Sequence, residues 1–499
     1  MVRPLLGASA DLIVLPRSRL VADGVEWALA RVAGGYQLVG LAPRDLERRF
    51  DAFAGERVVD GDRLHVVGPA DAGNAAALRR VAPALVPRPL GLRTSAGFGD
   101  RLGLATPGHV RALRRAGEGI APIFAQQSIR EMTRTRRSPQ QVLDEAMWGV
   151  MAEGWREPWG ADADHLKSPA DVDVCLAAGF TFFTIDPGEH VDDRAESLPA
   201  PALRQAWDAL PWSDLADSPA DLRRRFLGQR VVHDELARFD EETLARAAVK
   251  YGRAVAHVAR LFRHLRAARS GSQVELEISV DETATPTRPA DHVYVACELR
   301  RLGVEWVSLA PRFVGRFEKG VDYIGDLAAF DADVLVHAAI AREFGPYKLS
   351  LHSGSDKFSI YPAVARSTRG LVHLKTAGTS YLEALRTIAT TATPLFREIY
   401  AFACERYDTD RATYHVSAEV SRAPRVAGLA PADLPGLLDD FDAREILHVT
   451  FGSVLTATTQ EGGARFAPRL RQALEDDAEA YAANLESHFS RHLAPFVVP

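Results

Sequence analysis

Between about residues 86 and 390 the chain repeats one pattern: a short apolar or alternating run, then a longer stretch with helical spacing. The runs are VPRPLGLRTS, IAPIFAQQ, GWREPWGADADH, FTFFTID, QVELEISV, VEWVSLAP, YKLSLHSG and GLVHLKTAG. Strands alternating with helices mark parallel βαβ units, and eight of them favour a closed barrel over an open sheet. Helix signals stand between the runs. Ser138-Pro139 and Ser168-Pro169 each pair a capping hydroxyl with a proline at the first helical position, and Gly179 closes the second helix. From Asp240 onward, Leu244, Ala248, Tyr251, Val255, Val258, Phe262 and Leu265 recur at spacings of four and three, which predicts a long amphipathic helix.

The flanks read differently. Residues 1–85 carry short β-like runs (DLIVLP, GYQLVGLA, DRLHVVG) between Gly- and Asp-rich turns, a small α+β domain. Residues 391–499 are mostly helical and end in a charged amphipathic stretch, ALEDDAEAYAANLESHFSRHL. The expected fold is therefore α/β: a (β/α)8 TIM-like barrel over 86–390, with an N-terminal α+β domain and a helical C-terminal extension. That extension either covers the barrel or makes a homo-oligomer contact.

Composition narrows the partners. A hydrophobic share of 47% supports a core without disulfides, and a net charge of -6 gives no electrostatic attraction to nucleic acid. Cys175, Cys297 and Cys404 form neither a CxxC clip nor a disulfide framework, which suits a reducing cytoplasm. No run approaches the roughly 20 apolar residues that a membrane span needs, and no leader-like segment opens the chain, so a membrane partner is not expected.

In a barrel, chemistry collects where strands end, so polar residues there carry the information. GADADHLK places Asp162, Asp164 and His165 within four residues; Asp164 and His165 can both face the mouth only if the backbone turns between them. Without a ligand the same residues read as an acidic loop capping the next helix. In VELEISVDET, Glu275, Glu277, Ser279 and Asp281 alternate with apolar residues and point inward. Buried carboxylates cost several kcal/mol unless they meet a cation, a donor or a proton. In YKLSLHSGSDKFS, Lys348, Ser350 and His352 share a face, with Ser353, Asp356 and Lys357 in the loop beyond. In LVHLKTAGTSYLEAL, His373 and Lys375 share a face, and Ser380 with Glu383 predicts a capping box. A small-residue loop entering a helix there offers N–H groups to an anion. Gln126 and Gln127 end the second run and are candidates for sugar hydroxyls; Asp186 ends the fourth, a candidate to hydrogen-bond a sugar or assist a metal, and Arg312 ends the sixth. His109 and His337 lie in helices and read as structural.

Carboxylates and histidines without a cysteine cluster suit a divalent cation in an N/O site; zinc, nickel, manganese and cobalt all fit that donor set. No dinucleotide fingerprint, Walker loop or nucleophile elbow is present. Isomerase, epimerase and aldol chemistry on a hydroxy-ketone all fit, and spacing does not separate them.

GFGDRLGLATPGH, FAQQSIREMTRT, GADADHLK, FTFFTIDP, ELEISVDET, PRFVGRFEKGVDY and LHSGSDKFSIYP, in this order, resemble the tagaturonate epimerase family across most of the barrel. The resemblance implies a metal-dependent epimerase interconverting tagaturonate and fructuronate, with the neutral pair tagatose and fructose as further substrates. It implies Asp164 and Glu277 as acid/base residues and His165 and His352 as metal ligands. For a third ligand, position favours His373, with Glu277 the alternative. Gln126, Gln127, Asp186, Arg312, Ser353 and Lys357 are the expected substrate contacts. A ketose-bisphosphate aldolase-like enzyme and a non-catalytic sugar-binding barrel are the competing readings.

Overall fold

In the computed structural model, which describes residues 13–497 except 33, 228–236, 270 and 272, the chain opens with a six-stranded antiparallel sheet. Its strands are β1 (Ile13–Val14), β2 (Leu20–Ala22), β3 (Val25–Val32), β4 (Gly35–Pro43), β5 (Glu56–Asp60) and β6 (Arg63–Pro69). DLIVLP contributes β1, although its Asp11 and Leu12 lie outside the described residues. Trp27, with its ring 4.2 Å from that of Phe53 and 5.5 Å from that of Phe50, centres this sheet's core.

The eight barrel strands follow: β7 (Ser95–Gly97), β8 (Ala121–Ser128), β9 (Gly160–Leu166), β10 (Phe182–Ile185), β11 (Glu275–Ser279), β12 (Ser308–Ala310), β13 (Lys348–Leu351) and β14 (Val372–Lys375). All neighbours are parallel, and β14 pairs with β7 to close the ring. Five strands fall within the runs read from the sequence, β8 and β9 overrun theirs by one residue, and the first shares a single residue with its run. Pro87 and Pro89 lack the N–H groups a ladder needs, so VPRPLGLRTS approaches as a connector and pairing starts only at its last residue, Ser95.

The predicted caps hold at Ser138 and Ser168, and Asp240 caps the long helix in the same way, each accepting a backbone N–H three residues on; Gly179 ends its helix at φ 100°. The long helix runs Glu241–Ala268 with all seven stripe residues buried. The box at Ser380 does not form: that helix, Thr379–Thr391, starts two residues earlier than the box would set, behind Gly378 with no side-chain cap. Ser380 instead donates to the Gly99 carbonyl at 2.6 Å and meets His109 Nε2 at 2.8 Å.

The C-terminal stretch breaks at Asp477 into helices Ala467–Asp476 and Ala478–Leu493. The second packs on the helix Thr106–Ala116 so closely that a Cβ at Gly108 would stand 2.4 Å from Leu485 Cβ. It also sends His488 to Asp356, Nε2 to Oδ1 at 2.6 Å, and Arg444 of the extension reaches the other oxygen at 3.0 Å. The extension is thus fastened to the loop after β13. Among the described residues no helix is long and apolar enough to cross a membrane.

Candidate active site

The inward set of β11 meets a different partner at each level. Glu275, at the lower end, accepts the N–H of Leu90 at 3.0 Å and that of Gly91. Glu277 lies 2.8 Å from Lys375 Nζ. The same ammonium stands 2.8 Å from Asp162, 2.8 Å from Asp164 and 2.7 Å from Thr184 Oγ1. Three buried carboxylates therefore share one buried lysine. Burial pushes the Asp162 carboxyl up to about 7. Burial works in the same direction on Asp164 and Glu277, but Lys375 outweighs it: Asp164 falls well below the ordinary range and Glu277 to about 2. Burial opposes the Lys375 charge, and its three carboxylates override that and raise its pKa.

Above this cluster the backbone makes the turn that GADADHLK required. Between Phe183 and Ile185, β10 advances two residues while β9 advances three, from Ala163 to Leu166. His165 occupies the left-handed region at φ 52°. Such a conformation costs a non-glycine residue on the order of 1–2 kcal/mol. It allows Asp164 and its neighbour His165 both to line the same pocket.

Two imidazoles meet there, stacked with centroids 4.5 Å apart. His165 Nδ1 is 3.0 Å from Asp186 Oδ2, while His352 Nδ1 is 2.6 Å from Asp281 and 2.8 Å from Ser279 Oγ. Each ring thus has Nδ1 anchored, leaving Nε2 for the mouth. His352 Nε2 lies 2.8 Å from Asp164 Oδ1, whose other oxygen accepts Gln126 Nε2 at 3.0 Å. Burial disfavours the His352 charge, yet Asp281 and Asp164 hold its pKa well above the usual value. Asp164, His165 and His352 each offer one donor atom, all within 4.8 Å of one another. Imidazoles buttressed through Nδ1 by carboxylates, beside a third carboxylate, match what a divalent cation uses.

The other expected site residues divide. Gln126, Ser353 and Lys357 line the pocket, as do Asp164, His165 and His352. Lys357 spends its N–H groups on the carbonyls of Glu318, Val321 and Ser355, which fixes a loop rather than leaving a donor for substrate. Asp186 acts through His165. Three residues are not brought to this group. His373 sits a level lower, 2.9 Å from Ser95 Oγ, and burial depresses it to about 3. Register explains this: the strand end belongs to Lys375, two residues on. Gln127 is buried with neither amide atom paired and does not line the pocket. Arg312 turns away to the Phe313 carbonyl, 3.3 Å distant. Glu277 is present but reaches Asp164 only through Lys375.

Sequence reasoning missed Lys375 as the hub, although it had placed that residue on one face with His373. It also missed Glu282, 3.9 Å from His165 Nε2, and the pocket residues Arg101, Lys319, Tyr414 and His448. Tyr414 and His448 come from the C-terminal extension, and no local periodicity announces a contact made across the fold.

Proton-handling groups and imidazoles gathered at the C-terminal mouth of a parallel barrel define a (β/α)8-barrel enzyme. A sequence model of the family UxaE, tagaturonate epimerase, matches residues 28–496. The tagaturonate/fructuronate epimerase of Thermotoga maritima is 46% identical over 421 residues, 84% of each chain. The native crystal structure of fructuronate-tagaturonate epimerase from Cohnella laeviribosi superposes with a TM-score of 0.90 at 36% identity, covering 98% of this chain and 97% of that one. A glycerol complex of the same enzyme gives 0.89 at 36% identity, covering 97% and 96%. The chain belongs to the tagaturonate epimerase family, a family of isomerases acting on sugar acids.

Proposed function

We propose that this enzyme interconverts D-tagaturonate and D-fructuronate by inverting C4, with a divalent cation held by His165, His352 and Asp164. The carrying observation is the convergence of one ring nitrogen from each histidine and an Asp164 carboxylate oxygen within 4.8 Å at the barrel mouth. His165 and His352 would hold the cation through Nε2, with Nδ1 kept on Asp186 and Asp281. Asp164 takes the third place expected of His373. When bound, the cation polarises the ketone and hydroxyl oxygens of the substrate.

The carbon to be inverted is β to the ketone, so its C–H is not acidified by that carbonyl. Removing the C4 hydroxyl proton instead lets the C3–C4 bond break. Its electron pair passes into the C2 carbonyl to give an enediolate, and C4 becomes an aldehyde. Rotation of the aldehyde and re-addition restore the bond with C4 inverted. Asp164 is the one carboxylate of the inner cluster that lines the pocket, so it takes the hydroxyl proton and returns it. Lys375 links it to Glu277, which shares the charge at one remove.

An NMR time course of metal-loaded enzyme with tagaturonate tests this. Fructuronate should form, EDTA should stop it, and restored metal should recover it. Solvent deuterium at C4 would overturn the cleavage route, and undiminished turnover after chelation would overturn the cation. The neutral pair tagatose and fructose, run in parallel, asks how far the acid group is required.

A further inference from the structure

The pocket enclosing these groups continues past them toward the C-terminal extension, which adds Tyr414 and His448 to its lining. Four cations not involved in the cluster line it, and they differ in what they have left to give. Lys357 is committed to three carbonyls. Arg130 pairs with Glu282 at 3.2 Å and its side chain is 38% exposed. Lys319 donates to Ser353 Oγ at 2.8 Å and lies 3.6 Å from Glu282. Arg101 is 4% exposed, and its Nε and Nη2 both donate to Glu131 Oε1, at 2.9 and 2.7 Å. Its plane lies over the Phe451 ring, 3.6 Å from the centroid. Its remaining nitrogen, Nη1, is buried without a partner.

A buried guanidinium nitrogen left unmatched costs free energy, and this one is held rigidly by a carboxylate on one edge and an aromatic face. Two further groups that can meet an anion line the same pocket. The helix Thr379–Thr391 begins at Gly378 with no side-chain cap, and Ala377 and Gly378 line the pocket. His448 packs against that turn so closely that a Cβ at Gly378 would be 1.9 Å from Nε2, and its Nδ1 is buried and unpartnered. A helix N-terminus, a free guanidinium edge and an imidazole lining one pocket describe an anion subsite.

Its location suits one end of the substrate. Gln126, which holds Asp164, and Ser128 are two residues apart on β8, about 7 Å along a strand. Ser128 Oγ is 3.2 Å from Glu131 Oε2, and Glu131 holds Arg101. Asp164 and Arg101, at the two ends of this series of contacts, line the one pocket, and the carboxylate carbon of the sugar acid stands two bonds from C4.

We propose that Arg101, with His448 and the N-terminus of the helix Thr379–Thr391, binds the substrate's terminal carboxylate and so selects uronates over neutral ketoses. This rests on the tagaturonate reading above and deepens it. The test is calorimetric binding of tagaturonate and tagatose to metal-loaded full-length enzyme, with turnover followed separately. Arg101→Gln should weaken tagaturonate binding about 100-fold, collapsing the preference for tagaturonate over tagatose by a similar factor. Arg101→Lys, which keeps the charge but loses the fork, should give about a 10-fold loss. Because Arg101→Gln strands Glu131, the double variant Arg101→Gln with Glu131→Gln removes both charges and carries the test if the single variant fails to fold. An unchanged preference in the folded double variant, or equal weakening of both sugars, overturns the subsite even where turnover confirms the epimerase. A preference that depends on Arg101 in an enzyme that turns over neither sugar upholds the subsite and sinks the functional reading.

Discussion

Lys375 is the residue on which the inner cluster depends. Its ammonium touches Asp162, Asp164 and Glu277, and its side chain is 1% exposed, so water does little to screen that arrangement. Lys375→Met leaves three buried carboxylates without their cation. We expect a loss of about 3–5 kcal/mol in urea unfolding, the range for breaking a buried charge pair. A change below about 1 kcal/mol would show that protonated carboxyls hold the cluster by themselves. The inward acids of β11 were legible because alternation leaves them no outward face. Their cation was not, since a lysine at a strand end reads equally as a solvent-facing terminus. The turn at His165 was legible only as a condition: two adjacent side chains cannot both face the mouth without it, and the extra residue in β9 supplies it.

At the scale of elements, the barrel could be read because each parallel strand is a short run bounded by a capped helix. The misplaced strand and the missing cap fail for the same reason. VPRPLGLRTS and TSYLEAL carry the right residue types, but tertiary partners decide which of them pair: β14 and β8 for Ser95, Gly99 and His109 for Ser380. Contacts of the C-terminal helix were likewise invisible, because an amphipathic stripe reports that a face is buried and not what buries it. Gly108 is where that contact is tightest. Gly108→Ala should force the helices Thr106–Ala116 and Ala478–Leu493 apart, at about 1–3 kcal/mol for overpacking. A lowered melting temperature checks this; an unchanged one would show that Leu485 yields without cost.

Across the whole molecule, the extension completes the pocket rather than decorating the barrel. Besides the Asp356 clamp, it docks on one acid of the barrel and is tied within itself by another. Glu318, of the loop after β12, accepts Ser417 N–H at 2.8 Å, and Glu445 accepts Ala418 N–H at 2.8 Å. Burial, with Glu318 as its hydrogen-bond partner, pushes the Glu445 carboxyl up to about 8. Between the ordinary glutamate value, about 4.3, and that point the folded chain holds a proton the unfolded chain has lost. Stability should therefore fall as pH rises through that window and stay lower above it. Glu445→Gln should flatten the slope and leave the protein about 2 kcal/mol more stable than the parent at pH 9, by urea titration. Parallel pH curves for the two proteins would contradict this.

The account turns on Asp164, the carboxylate that faces the pocket, touches His352 and Lys375, and is proposed to move the substrate proton. Its most direct test is the rate of fructuronate formation from tagaturonate by Asp164→Asn beside the parent enzyme, with both shown to be folded. The parent should convert the sugar acid, and the variant should be slower by about 1,000-fold or more, since an amide cannot accept the hydroxyl proton. A folded Asp164→Asn enzyme within about 10-fold of the parent would contradict the account and require another residue to carry the chemistry.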